Sequence, residues 1–134
     1  MNEHLKMSGA YWCIGSLKLL SKLDDSRREE MIKFIQACQH ECGGFGGNIG
    51  HDPHMTSSLY ALLVLAMYNA VDKINTEKLV SYVKSLYRED GSFVGDYAGE
   101  VDTRFSYCAV SILALLNRLD EIDRERVRDH ILRC

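Results

Sequence analysis

Proline is nearly missing: Pro53 is the only one in 134 residues. Long helical stretches therefore meet almost no covalent obstacle. Charge of one sign is missing as well. Sixteen Lys and Arg against 19 Asp and Glu leave a net charge of −3, so nothing points to nucleic acid or an anionic membrane as a partner. Arg124, Arg126 and Arg128 sit among acids, as on a solvated helix face. No long apolar run is present. The longest, residues 59–68, is too short to span a bilayer. No charged-then-apolar leader opens the chain, so no signal peptide is expected. The five cysteines, Cys13, Cys38, Cys42, Cys108 and Cys134, are odd in number and follow no framework spacing. They read as reduced thiols of a cytoplasmic protein. Cys13 and Cys108 fall in apolar helical stretches and are expected to act as small core residues.

What the chain does have is a repeat. Shifted by 48 positions, Gly43, Phe45 and Gly47 fall on Gly91, Phe93 and Gly95. The match continues through Ser58 and Ser106, Ala61 and Ala109, Leu65 and Leu113, Asn69 and Asn117, Asp72 and Asp120, and Glu77 and Glu125. The same step backwards sets Asp72 on Asp24 and Glu77 on Glu29. A fixed period of this size means stacked copies of one supersecondary unit, none of which can bury its apolar face alone. The expected fold is all-α: helical hairpin repeats of 48 residues forming a single partial α/α barrel over residues 1–134, with about three hairpins.

Each repeat reads as helix, short turn, helix, glycine loop. The first helices, about residues 3–23, 57–71 and 103–119, are apolar nearly all round and must be enclosed on all sides. The second helices are amphipathic, with Met31, Ile32, Ile35 and Cys38 at helical spacing, then Leu79, Val80, Val83 and Leu86. An inner layer wrapped by an outer layer satisfies both patterns. Ser26 and Glu29 fit a capping box, and Asn75 and Asp123 are candidate caps at the same place in later repeats. Gly43, Gly44, Gly46, Gly47 and Gly50 are expected to take positive φ and to pack closely, with Phe45 and Phe93 plugging the loops onto helix ends.

Three segments invite a chemical reading. His40, Glu41 and Cys42, followed by His51, Asp52 and His54, offer metal-type ligands, but their spacing fits no standard structural zinc pattern. Capping and loop hydrogen bonds are the expected roles of His51, Asp52 and His54. Residues 43–50 are glycine-rich, yet they lack the Lys-Ser/Thr ending of a phosphate loop and follow no strand. Arg104 falls in the first turn of an apolar helix that Asp102 can cap. A cation there opposes the helix dipole and needs a partner. Glu100 in a buried ion pair, or an anionic ligand, would supply one.

Four stretches carry a family resemblance: residues 39–44 (Gln-His-Glu-Cys-Gly-Gly), 50–54 (Gly-His-Asp-Pro-His), 89–93 (Glu-Asp-Gly-Ser-Phe) and 99–106 (Gly-Glu-Val-Asp-Thr-Arg-Phe-Ser). In combination the chain resembles the β subunits of protein prenyltransferases, the Rab geranylgeranyltransferase (type II) kind in particular. The resemblance implies an α/α barrel of inner and outer helices around a greasy cavity, of which this chain would be an N-terminal portion. It implies transfer of a prenyl group from geranylgeranyl diphosphate to cysteines of a Rab GTPase presented by an escort protein, together with an α subunit as partner. It also implies that Ser8, Tyr11, Trp12, Leu59, Arg104 and Tyr107 line the isoprenoid cavity. The small Ser8 and aliphatic Leu59 would leave room for the longer chain. The family's zinc ligands, an Asp-x-Cys pair and a later histidine, have no match here. No catalytic residue, metal ligand or cofactor is therefore assigned to this chain, and zinc is expected only in the full-length family member. Alone the chain would not catalyse. A non-catalytic helical-repeat interaction module and a terpene cyclase fragment are the rival readings. Half a ring would also leave apolar flanks exposed, so self-association is expected.

Overall fold

A computed structural model describes residues 3–134. Among them are six α-helices: α1 (Lys6–Leu19), α2 (Arg28–Cys38), α3 (Met55–Met67), α4 (Thr76–Ser85), α5 (Thr103–Leu115) and α6 (Arg124–Arg133). Helices α1, α3 and α5 are the apolar ones. They stand side by side, α1 along α3 and α3 along α5. Helices α2, α4 and α6 bury one face each, through Ile32, Ile35 and Cys38, then Leu79, Val80 and Val83, then Val127. The chain is all-α in helical hairpins, as the period implies.

The 48-residue step is written into the backbone. Ser21, Asn69 and Asn117 all adopt left-handed φ, at 55°, 53° and 56°. Each ends an inner helix, and the next N–H reaches back to a carbonyl five residues earlier: Lys22 to Leu17, Ala70 to Leu65, Arg118 to Leu113. These are Schellman-type stops, and asparagine tolerates them better than most side chains. They close the inner helices about four residues earlier than the apolar pattern suggests.

The glycine loops repeat in the same way. Isolated bridges pair Gln39 with Phe45 and Tyr87 with Phe93, then Gly46 with Pro53 and Val94 with Val101. Phe45 and Phe93 are fully buried plugs. Each loop also ties one repeat to its neighbour: Met7 N–H donates to the Gly47 carbonyl and Met55 N–H to the Gly95 carbonyl, both at 2.8 Å. Gly43 and Gly91 have φ of 99° and 90°. A Cβ on Gly43 would collide with the Lys78 carbonyl, and one on Gly91 with the Arg126 carbonyl. The loop of one hairpin thus rests directly on the outer helix of the next.

Several expectations are corrected. Of the five glycines expected at positive φ, Gly43 and Gly50 have it. Gly44, Gly46 and Gly47 are there for room, against the Tyr82 ring and the carbonyls of His51 and His4. Ser26 does not cap α2. Its N–H donates to Asp24 Oδ1 at 3.0 Å, and the helix starts two residues later behind Arg27, which makes no side-chain cap. Asn75 and Asp123 do cap α4 and α6, accepting from Lys78 N–H at 2.9 Å and Arg126 N–H at 3.1 Å. Enclosure holds best for α3 and fails for α1, which exposes Trp12, Leu17 and Leu19, and for α5, which exposes Tyr107 and Leu115. Cys13 lies on that open side and is exposed, whereas Cys108 is buried. All five thiols are unpaired.

Candidate functional site

The inner helices place every position three times across one surface. Ser8, Thr56 and Arg104 form one row. Tyr11, Leu59 and Tyr107 form the next, and Trp12, Tyr60 and Cys108 a third. Between α3 and α5 these rows border a recess of about 400 Å³, lined by Thr56, Leu59, Tyr60, Arg104, Tyr107 and Cys108. Ser8 opens onto a neighbouring recess of about 400 Å³ that shares Thr56 and includes His51 and His54. The Tyr11 and Tyr60 rings stack with centroids 4.6 Å apart and planes 10° from parallel. Trp12 leans on Tyr11 at 5.1 Å. An aromatic band thus runs from α1 to α3, and Tyr107 on α5 borders the same recess as Tyr60.

Of the six residues named from sequence, Leu59, Arg104 and Tyr107 meet in one recess, and Tyr11 and Trp12 join through Tyr60. Ser8 stands in the adjoining recess. Leu59 is buried while Trp12 and Tyr107 are 62% and 68% exposed, which leaves two large rings free to contact a ligand. The reading from sequence missed Thr56, Tyr60 and Cys108. Each lies 48 residues from a residue it named or from another of these three, so the repeat itself carried the signal.

Arg104 is the rim's cation. Its partner is Asp102, not Glu100, and the pair is not buried. The guanidinium lies 3.0 Å from Asp102 Oδ2, with 73% of the arginine side chain exposed. Asp102 Oδ1 also accepts the Arg104 N–H at 2.7 Å, which caps α5. Hydrogen bonding from Arg104 holds the Asp102 carboxyl below its ordinary range, and the same carboxylate raises the arginine. One acid thus offsets the dipole conflict and leaves the cation facing solvent at the mouth.

Nothing in the recess is poised for proton transfer or attack. Burial raises the Cys108 thiol and the Tyr60 phenol above their ordinary values, so these groups stay protonated at neutral pH. His54 spends Nδ1 on the Thr56 N–H at 3.2 Å, capping α3. His40 Nε2 lies 2.5 Å from the His51 carbonyl oxygen. Among the described residues, no three His, Cys, Asp or Glu side chains come together as a metal donor set. The described residues do not supply the donor set that the zinc implied for the family would need. The arrangement suits binding: aromatic and aliphatic walls with one cation at the rim.

The comparisons with known proteins follow the same lines. Geranylgeranyl transferase type-2 subunit beta 1 of Arabidopsis thaliana is 52% identical over 64 residues, 48% of this chain and 20% of the relative. The probable geranylgeranyl transferase type-2 subunit beta of Dictyostelium discoideum is 50% identical over 70 residues, 52% of this chain and 21% of the relative. The protein farnesyltransferase subunit beta of Schizosaccharomyces pombe is 35% identical over 57 residues, 42% of this chain and 15% of the relative. The chain thus spans about a fifth of the length of the curated relatives it matches. A family model, the prenyltransferase alpha-alpha toroid domain, matches residues 1–134. With its stacked hairpins, repeated glycine loops and row of inner helices, the chain belongs to the prenyltransferase alpha-alpha toroid family.

Proposed function

We propose that this chain serves as part of a cytoplasmic type-2 protein geranylgeranyltransferase β subunit and supplies one wall of its isoprenoid cavity. The reading rests on one observation above the others: the aromatic band on adjacent inner helices, with exposed Trp12 and Tyr107 beside a recess whose rim carries Arg104. Rings and branched aliphatics present a surface that a branched, unsaturated hydrocarbon covers well. Arg104 stands where the diphosphate end of geranylgeranyl diphosphate would find a cation. Ser8, Tyr11, Trp12, Leu59, Arg104 and Tyr107 form the proposed contact set. Transfer to cysteines of a Rab GTPase, delivered by an escort protein to a complex with an α subunit, is the activity proposed for the whole assembly. In that assembly the segment's share is to bind and orient the lipid.

Trp12 is the only tryptophan, so it reports on its own surroundings. Geranylgeranyl diphosphate added to the chain should shift Trp12 emission to shorter wavelength in a saturable manner. Arg104→Ala should weaken the response more for the diphosphate than for geranylgeraniol. Ser8→Trp fills space and should favour farnesyl over geranylgeranyl diphosphate. Emission that ignores both lipids would remove the cavity reading and favour an interaction module without lipid chemistry.

A further inference from the structure

Because each position recurs after 48 residues, the contact between α1 and α3 can be set beside the contact between α3 and α5. Tyr11 of α1 meets Tyr60 of α3, and one repeat later the same two places hold Leu59 of α3 and Cys108 of α5. The first pair is two rings, stacked with centroids 4.6 Å apart and planes 10° from parallel. The second pair is a branched aliphatic and a small thiol, both buried. Leu59 and Cys108 line the recess of about 400 Å³ between α3 and α5.

The exchange of residues explains where the recess lies. Two stacked rings take up space between neighbouring inner helices that Leu and Cys leave open. Tyr60 belongs to both places. Its ring packs on Tyr11, and it also lines the recess with Leu59 and Cys108. The ring is therefore the partition between the recess and the space between α1 and α3. Trp12 leans on the other member of the stack, Tyr11, at 5.1 Å.

We propose that Tyr60 is a specificity-determining residue: its ring, held by Tyr11, closes the α1 side of the recess and limits the length of isoprenoid chain that the α3/α5 side accepts. The proposal rests on the lipid reading above and adds to it a residue outside the contact set named there. Removing the ring joins the recess to the space between α1 and α3, which makes room for a further isoprene unit. A ring at the place of Cys108 would fill the recess itself, as the Tyr60 ring fills the equivalent place one repeat earlier.

Isothermal titration calorimetry with farnesyl, geranylgeranyl and geranylfarnesyl diphosphate tests this, since each lipid exceeds the one before it by one isoprene unit. Far-UV circular dichroism checks that every variant keeps its helices. Tyr60→Ala, with Tyr60→Leu as a milder truncation, should raise affinity for geranylfarnesyl relative to geranylgeranyl diphosphate by roughly tenfold, because a single methylene in an apolar pocket is already worth that much. Tyr60→Phe keeps the ring and should leave the order of the three lipids unchanged. Cys108→Phe puts a ring into the recess and should weaken geranylgeranyl diphosphate more than farnesyl diphosphate. If the unaltered chain binds none of the three, the lipid reading falls and the role of Tyr60 falls with it. If the unaltered chain binds but both truncations keep its order of preference, or weaken all three lipids alike as a merely structural ring would, the lipid reading stands and the role of Tyr60 is overturned. A shifted order in Tyr60→Phe, or an unshifted one in a folded Cys108→Phe chain, would overturn it as well.

Discussion

Helices α1 and α3 come from the same repeat and have the same apolar character, but they meet different surroundings. Helix α3 lies between α1 and α5 and buries Met55, Leu59, Leu62 and Leu65 to 2% exposure or less. Helix α1 has a helical neighbour on one side and leaves Leu17, Trp12 and Leu19 at 39%, 62% and 88%. The difference lies in the number of neighbours. A helix that is greasy all round is a core element only when flanked twice. With one flank open, part of the same pattern is left exposed.

The sharpest test of this contrast is a matched pair of truncations. Leu65→Ala removes a fully buried side chain and should cost roughly 2–5 kcal/mol of unfolding free energy. Leu17→Ala, at the equivalent exposed place, should cost under about 1 kcal/mol in dilute solution. Urea titration of the two variants measures both, and equal losses would mean that α1 is as enclosed as α3.

A second pair probes the two copies of the loop-to-helix joint. The Ser58 hydroxyl accepts the Phe45 N–H at 2.9 Å and donates to the His54 carbonyl at 2.8 Å. Its equivalent Ser106 is equally buried but has no hydrogen-bond partner among the described residues. Ser58→Ala leaves a buried N–H unpaired and should cost about 1–3 kcal/mol. Ser106→Ala should be close to neutral, because the deleted hydroxyl makes no bond. Chemical denaturation that ranks the two the other way would show that Ser106 is the bonded one in solution.

The smallest expected effect separates the caps by pH. His54 caps α3 and Asp102 caps α5, one repeat apart. Burial lowers the His54 pKa below 6.5, outweighing the carboxylates of Asp96 and Glu100, and Arg104 pushes the same way as burial. The folded state therefore prefers the neutral ring. Its contribution is complete above the ordinary value and is lost as pH falls through 6.5 toward the folded pKa. Asp102, lowered from 3.8 by Arg104, keeps its contribution until far more acid. The melting temperature should thus begin to drop between pH 7 and 5, and His54→Asp should flatten that part of the profile. A profile unchanged by this substitution would take His54 out of the acid response.

Much of the architecture was legible because a period of 48 forces equivalent residues into equivalent roles. The glycine loops, the phenylalanine plugs and the caps at Asn75, Asp102 and Asp123 could be read from local pattern. The left-handed stops at Asn69 and Asn117 were equally visible in the shifted alignment, yet the apolar run continued past them and concealed the helix ends. Ser26 misled because Asp24, two residues earlier, claims its N–H first. The site was legible only in part. The period of 48 pointed to Thr56, Tyr60 and Cys108, but that they line one recess follows only when the hairpins are set side by side.

The sequence by itself determined the hairpin, its period, its loops and which helices are apolar, since these follow from backbone preference and side-chain periodicity within one unit. Only the tertiary structure decided which of the apolar surfaces are covered. Burial depends on neighbours, and neighbours are a property of the stack. Cys13 and Ala61 share one place in the repeat, yet the first meets solvent and the second the core.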